Sequence, residues 1–162
     1  MIWKGGQVMP EMIKFTYEEI EDRCLKIFDD ITKADFQPDC VIGISIGGVF
    51  PAIHFARLFN TKNLITIAVK SYDGQERKDI QVINLPTKDL LVGKNVLLID
   101  DISDSGSTLK FLVNLLKEEY KVKNIKTVTL FVNEKNCQYY PDFYFEKVNK
   151  WIDFPWDRFE KS

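Results

Sequence analysis

Residues 96–109 decide the fold of this chain, and they read Val96-Leu97-Leu98-Ile99-Asp100-Asp101-Ile102-Ser103-Asp104-Ser105-Gly106-Ser107-Thr108-Leu109. The four residues at the start are apolar, which is typical of a strand that is buried on both faces. Apolar residues recur at helical spacing from Ser107 to Tyr120, so a helix is predicted there. The segment between them is acidic and rich in small residues. A strand that enters a helix through such a loop is typical of an α/β protein.

The rest of the chain repeats this alternation of strand and helix. Thr16 and Glu19 form a predicted capping box at the start of a helix, and Pro51 can open another that runs to about Asn60. Further strands are predicted at residues 41–45, 64–69, 80–85, 127–132 and 143–148, with a polar loop at 71–79. The pattern predicts an α/β fold with a mainly parallel twisted sheet flanked by helices. We expect one domain over residues 1–162, with a small cap built by the chain ends, about 1–15 and 140–162.

Composition limits the classes of function. The chain has 162 residues, of which 45% are hydrophobic and 28% charged, and its net charge is −2. No broad basic surface is evident, so nucleic acid is not an expected partner. No run approaches the ~18 apolar residues of a membrane span. Three widely spaced cysteines and one histidine favour neither a disulfide framework nor a zinc site, and a reducing cytoplasm is the expected setting.

The loop after the predicted strand has the chemistry of a phosphate site. Residues 103–108 lead into a helix, whose free N–H groups and dipole attract an anion. Gly106 allows close approach of the backbone, and Ser105, Ser107 and Thr108 add hydroxyl donors. Asp100 and Asp101 would repel a phosphate, so they suit ribose hydroxyls or a magnesium ion instead. A simple helix cap would explain one aspartate, but three in five residues weigh against that interpretation.

Residues 96–108 resemble the phosphoribosyl-pyrophosphate motif of type I phosphoribosyltransferases. The resemblance implies that Asp100 and Asp101 hold the ribose hydroxyls and that residues 104–108 bind the 5′-phosphate. It also implies Mg²⁺ as cofactor, with Asp100, Asp101 and, through water, Asp157 as metal-binding residues. A homo-oligomer, either a dimer or a tetramer, is implied by the same resemblance.

Asp104 indicates which class of nucleobase accepts the ribose. Relatives that use adenine or orotate generally carry alanine at this point, whereas 6-oxopurine enzymes carry aspartate. A purine that attacks through N9 must lose a proton, and a carboxylate beside N7 can accept it, which is typically worth ~10²–10⁴-fold in rate. We therefore expect Asp104 to be the catalytic base.

Two further segments extend the resemblance. Ser45-Ile46-Gly47-Gly48 matches the pyrophosphate loop, where relatives often have a non-proline cis peptide that would correspond to Ser45–Ile46. Relatives commonly place arginine or lysine where this chain has Ile46, so one cation is missing and pyrophosphate neutralisation is in question. Ser71 and Tyr72 match the Ser-Tyr pair of the mobile loop in 6-oxopurine enzymes, whose closure would exclude water.

The end of the chain resembles the tail of short xanthine–guanine enzymes, on residues Trp151-Ile152-Asp153-Phe154-Pro155-Trp156-Asp157. The resemblance implies that Trp151 stacks on the purine, that the Ile152 main chain meets its 2-position, and that Ile102 contacts the base. Relatives read the purine O6 with a lysine after the strand at 127–132. Asn133 is the aligned position and Lys135 follows two residues later, so both stay open, with Lys135 the chosen residue.

These features together predict an enzyme that joins phosphoribosyl pyrophosphate to guanine, xanthine or hypoxanthine in purine salvage. Two alternatives stay open. One is a phosphoribosyltransferase for a different base. The other is a regulator that binds phosphoribosyl pyrophosphate or a nucleotide without catalysis, because fold does not determine function.

Overall fold

A six-stranded sheet forms the centre of the computed structural model, which describes residues 2–4, 7–9, 11–73 and 78–159. The strands are β1 (Ile2–Lys4), β2 (Gln7–Met9), β3 (Met12–Lys14), β4 (Cys40–Ser45), β5 (Leu64–Asp73), β6 (Lys78–Asn84), β7 (Asn95–Ser103), β8 (Asn124–Asn133), β9 (Phe143–Val148) and β10 (Trp151–Asp153). The helices are α1 (Tyr17–Lys33), α2 (Val49–Leu58) and α3 (Ser107–Glu118).

The central sheet has the strand order β6-β5-β4-β7-β8-β9. Every neighbouring pair in it is parallel except β5 with β6, which is antiparallel. The predicted α/β architecture with a mainly parallel sheet is therefore confirmed. Because β4 and β7 are adjacent and parallel, their carboxyl ends open at the same edge, where ligands bind in such sheets.

Strand β7 is longer than its apolar run predicted. It continues through Asp100, Asp101 and Ile102 to Ser103, whereas the sequence indicated a loop from Asp100 onward. The reason is lateral pairing: β8 still accompanies β7 beyond the apolar residues, with Ile102 opposite Phe131 and Ser103 opposite Val132. Asp100 and Asp101, called the acid pair below, therefore lie on a paired strand and not on a free loop.

The polar segment 71–79 was predicted to be a loop, and this prediction was wrong for the described part of it. Strand β5 runs on to Asp73, and β6 begins at Lys78, with Ser71 opposite Ile80 and Tyr72 opposite Asp79. Antiparallel pairing satisfies the backbone groups of a hairpin, so polar side chains do not prevent a strand here. Residues 74–77 of the predicted mobile loop lie outside the described residues.

The sheet is covered on both faces by helices. Along β7 the side chains alternate: Leu97 and Ile99 pack in the core layer with α1 and α2, while Val96 and Leu98 pack in the layer with α3. Helix α1 begins with the predicted capping box, in which the N–H of Glu19 donates to the Thr16 hydroxyl at 3.2 Å. Because helices cover both faces of β7, its run 96–99 is entirely apolar.

The chain ends form small additional sheets. Strand β10 pairs in parallel with β3, which brings Ile152 opposite Ile13, and β1 pairs with β2. The predicted cap built from the two ends is confirmed in this form, although residues 1, 5, 6, 10 and 160–162 lie outside the described residues. Within the part of the chain that the structure describes, no helix combines the length and apolar character required to cross a bilayer.

Candidate active site

The carboxylates of Asp100 and Asp101 lie half-buried near the end of β7. Each accepts a hydrogen bond from the next backbone N–H, Asp101 N–H to Asp100 Oδ1 at 2.9 Å and Ile102 N–H to Asp101 Oδ1 at 2.7 Å. Burial, followed by repulsion from the neighbouring Asp101, raises the pKa of Asp100 well above its usual value. Burial also raises the pKa of Asp101 to about 6. An ionised pair at this point therefore needs cations or hydroxyl donors close by.

The loop between β4 and α2 packs against this acid pair. A Cβ added at Gly47 would overlap the carboxylate of Asp101, and one at Gly48 would lie 2.8 Å from the Ile44 carbonyl oxygen. Position 48 therefore requires glycine because its close neighbours are backbone atoms, while a side chain at position 47 would displace the Asp101 carboxylate. The peptide bond between Ser45 and Ile46 is cis, as the sequence resemblance predicted.

The segment between β7 and α3 forms a small cavity of about 170 Å³, lined by Asp100 and residues 102–109. Gly106 has a positive φ of 82° and caps α3 in the left-handed conformation, which favours glycine. The hydroxyls of Ser105 and Ser107 are 2.8 Å apart. Backbone N–H groups at the start of a twelve-residue helix and two hydroxyls make this cavity suitable for a phosphate group.

A larger cavity of about 1060 Å³ adjoins the acid pair. It lies between the loop that begins at Ser45, the end of β7, the end of β8 and the tail of the chain from Asn149 to Phe159. Its lining residues include Ser45, Ile46, Gly47, Lys70, Asp101, Ile102, Asp104, Asn133, Trp151, Ile152, Trp156 and Asp157. Many of the residues predicted to hold ribose, pyrophosphate and purine therefore line one space, whereas Asp100, Gly48 and Lys135 are not among its lining residues.

Asp104 is exposed, and its carboxylate accepts two amide hydrogen bonds. Asn133 Nδ2 donates to Oδ1 at 2.7 Å, and Asn136 Nδ2 donates to the same oxygen at 3.1 Å. Asn133 also lines the larger cavity, while Lys135 is not among the lining residues. The geometry therefore brings Asn133, rather than Lys135, to the predicted purine region.

The tail residues reach the cavity in different ways. The Trp151 side chain is 66% exposed, whereas Ile152 and Phe154 are buried in the core. The Trp156 ring stacks on Phe154, with ring centroids 4.7 Å apart. Its buried indole N–H lies close enough to Asp101 to offset a small part of the rise in the pKa of that carboxyl. The same N–H makes no hydrogen bond of good geometry to a described residue. Asp157 also lines the cavity, and its charge contributes to the raised pKa of Asp101.

Three polar residues of this region were not predicted as site residues. Lys70 lines the larger cavity from β5, two residues beyond Ala68, which pairs with Ser45. Asn133 was considered only as an alternative, and Asn136 was not considered. A basic residue directly after the apolar run 64–69 was the available signal for Lys70, because it stands at the carboxyl end of a strand.

The sequence resemblance implies a magnesium ion at Asp100 and Asp101. Among the described residues, no three histidine, cysteine or carboxylate side chains lie close enough together to hold a metal. Mg²⁺ usually takes only one or two protein carboxylates and completes its shell with water and substrate phosphates. Asp100 and Asp101 fit that role, because neither half-buried carboxylate has a compensating cation among the ion pairs of the described residues.

Known proteins resemble this chain in sequence and in fold. The family model of the phosphoribosyl transferase domain matches residues 16–160. A xanthine-guanine phosphoribosyltransferase from Cereibacter sphaeroides is 35% identical over 120 residues, 72% of this chain and 68% of that protein. A second, from Idiomarina loihiensis, is 34% identical over 121 residues, 72% of this chain and 70% of that protein. The crystal structure of a purine phosphoribosyltransferase from Pyrococcus horikoshii superposes with a TM-score of 0.78 at 25% identity, covering 93% of this chain and 97% of that one.

Proposed function

Because this chain belongs to the phosphoribosyltransferase family, we propose that it transfers the 5-phosphoribosyl group from phosphoribosyl pyrophosphate to a 6-oxopurine. The candidates are guanine, xanthine and hypoxanthine, and the products are the nucleoside monophosphate and pyrophosphate. The observation that carries the proposal is the convergence of Gly47, Asp101, Asp104 and Trp151 on one cavity. The names of the Cereibacter and Idiomarina relatives support the same class of acceptor.

The sugar donor is proposed to bind along the end of β7. Its 5′-phosphate would occupy the 170 Å³ cavity, where N–H groups of residues 105–108 donate. Asp100 and Asp101 would accept hydrogen bonds from the ribose hydroxyls, or bind a magnesium ion that neutralises the pyrophosphate when it is present. Either interaction supplies the hydrogen-bond donors or the cation that two adjacent half-buried carboxylates require.

The pyrophosphate is proposed to lie between the loop at residues 45–48 and Lys70. Ile46 stands where relatives carry a basic residue, and its side chain is 82% exposed. Lys70 lines the same cavity from β5, so its ammonium group can supply the cation that Ile46 lacks. Negative charge builds up on the pyrophosphate as its bond to the anomeric carbon breaks, so a cation that stabilises this charge favours cleavage.

The purine is proposed to lie against Trp151, whose 66% exposed ring offers a stacking surface. The Ile152 main chain would face the 2-position, and Ile102 would contact the ring. Asn133 is favoured over Lys135 for the purine O6, because it lines the cavity and its amide nitrogen carries a second hydrogen. As N9 bonds to the anomeric carbon, the N7 proton would pass to Asp104.

A direct assay tests the proposal. Purified protein is mixed with phosphoribosyl pyrophosphate, Mg²⁺ and one of five bases: guanine, xanthine, hypoxanthine, adenine or orotate. Nucleotide is measured by chromatography, and reactions without the sugar donor serve as controls. We expect product from at least one 6-oxopurine, whereas product from adenine or orotate alone would contradict the assigned acceptor.

The exposed Ile46 favours one alternative, a protein that binds phosphoribosyl pyrophosphate or nucleotide without turning it over. Calorimetry on the same preparation distinguishes the two. Binding of phosphoribosyl pyrophosphate with no product from any of the five bases would support the regulator and overturn the enzyme. The same preparation can be sized by analytical ultracentrifugation, where we expect a dimer or a tetramer.

A further inference from the structure

Two asparagines hold one oxygen of the Asp104 carboxylate. The side-chain amides of Asn133 and Asn136 both donate to Oδ1, at 2.7 and 3.1 Å. No described residue donates to Oδ2. The carboxylate is thus restrained at one oxygen, and the other is left able to accept a proton.

The two asparagines are themselves held in place. Asn133 is the last residue of β8, and its Oδ1 accepts the backbone N–H of Lys135 at 3.1 Å. Its carbonyl oxygen accepts the N–H groups of Asn136 and Cys137, at 3.3 and 3.0 Å, which forms a tight turn. A short side chain on a closed turn has few alternative positions, so both amides are preorganised.

The segment after β8 is also joined to the loop that carries Asp104. The N–H of Gln138 donates to the Ser105 carbonyl at 3.0 Å, and the Ser103 hydroxyl donates to the Tyr139 carbonyl at 3.4 Å. A Cβ at Gly106 would collide with the Tyr139 backbone. These contacts keep the asparagines and Asp104 at a constant separation.

We propose that Asn133 and Asn136 are positioning residues for Asp104, orienting its carboxylate so that Oδ2 takes the proton that the purine loses. The inference rests on the proposed function, because it needs Asp104 to be the base. Asn136 is the more informative of the two, since it does not line the larger cavity and its side-chain amide donates to Asp104. A misdirected carboxylate slows proton transfer strongly, while binding of the sugar donor is unaffected.

The experiment compares kcat and KM for two variants of Asn136. Asn136→Ala removes the amide, and Asn136→Asp keeps the shape but cannot donate. We expect kcat to fall roughly 10-fold or more in both, with the KM for phosphoribosyl pyrophosphate unchanged within about 2-fold. Asn124→Ala is the matched control: Asn124 begins the same strand β8 and its side-chain amide donates to Asn95 Oδ1, far from Asp104 in the chain, so kcat should stay at the wild-type value.

A double-mutant cycle separates positioning from a general structural role. If Asn136 acts through Asp104, Asn136→Ala has no further effect on kcat in an Asp104→Asn background. The same fall in both backgrounds, or a change in KM alone, would overturn the inference while the proposed function stands. If the wild type is active and Asn136→Asp has the wild-type kcat, the inference is also overturned while the proposed function stands. A wild-type protein that makes no nucleotide overturns the proposed function and this inference together.

Discussion

At the scale of single residues, Asp104 carries the clearest prediction. Asp104→Asn keeps the size of the side chain but removes the proton acceptor. We expect turnover to fall by about 10²–10⁴-fold, the usual contribution of a general base. Steady-state kinetics and calorimetric binding of phosphoribosyl pyrophosphate check it, and binding should be retained. Loss of binding together with turnover would indicate that Asp104 merely caps the loop.

The buried thiols allow a prediction on pH. Burial raises the pKa of Cys24 to about 12 and that of Cys40 to about 11, from the usual 9.0. Since the folded-state values exceed those of the unfolded chain, the protonated thiols contribute stability that is complete below pH ~9 and is lost as pH rises through 11–12. Native protein treated with iodoacetamide at pH 8 should therefore keep both thiols unmodified.

Mass spectrometry of the labelled peptides gives the result. The half-buried Cys137 is the internal comparison, and protein unfolded in urea should react at all three cysteines. Rapid labelling of Cys24 in the native protein would mean that α1 opens far more readily than its packing implies.

At the scale of elements, β5 brings a cation to the site. Lys70→Ala should raise the KM for phosphoribosyl pyrophosphate about 10-fold or more, because the leaving pyrophosphate loses a nearby positive charge. Lys62→Ala is the matched control, since Lys62 is exposed ahead of β5 and does not line the cavity. Equal KM values for the two variants would show that pyrophosphate is neutralised elsewhere.

The loop after β7 and the loop after β8 are joined by hydrogen bonds. The first carries Asp104 and lines the 170 Å³ cavity, and the second supplies the amides that donate to Asp104. Both loops follow neighbouring parallel strands, so their meeting is a consequence of strand order. Sequence separation hides this pairing, because Asp104 and Asn136 lie 32 residues apart.

At the scale of the whole molecule, the tail is part of the main core. Phe154 is 4% exposed and packs against Phe131 of β8 and against Trp156. Phe154→Ala should lower the free energy of unfolding by ~3–5 kcal/mol, the usual cost of deleting a buried aromatic ring. Urea denaturation measures it. Phe159→Ala is the control for stability, because that ring is 87% exposed and should change the unfolding free energy little.

The same docking links stability to function. Trp151, the proposed purine platform, lies three residues before Phe154, and Ile152 between them is buried in the same core. If the tail were only loosely attached, Phe154→Ala would leave the urea midpoint at the wild-type value. We expect instead that the variant loses stability and purine affinity together.

Local patterns in the sequence were enough to predict the architecture and the family. The alternation of apolar strands and amphipathic helices determined the α/β class, and the residues of 96–108 determined the family, because each depends on neighbours along the chain. Even the capping box at Thr16 was readable, since its partner Glu19 is three residues away.

Contacts between distant segments were decided only by the tertiary structure. Pairing with β8 extended β7 through the acid pair, and pairing with β6 extended β5 into a segment predicted to be a loop. The carboxyl ends of β5 and β8 brought Lys70 and Asn133 into the same cavity as Asp104. Hydrogen bonds between strands and between loops depend on lateral neighbours, which one sequence does not specify.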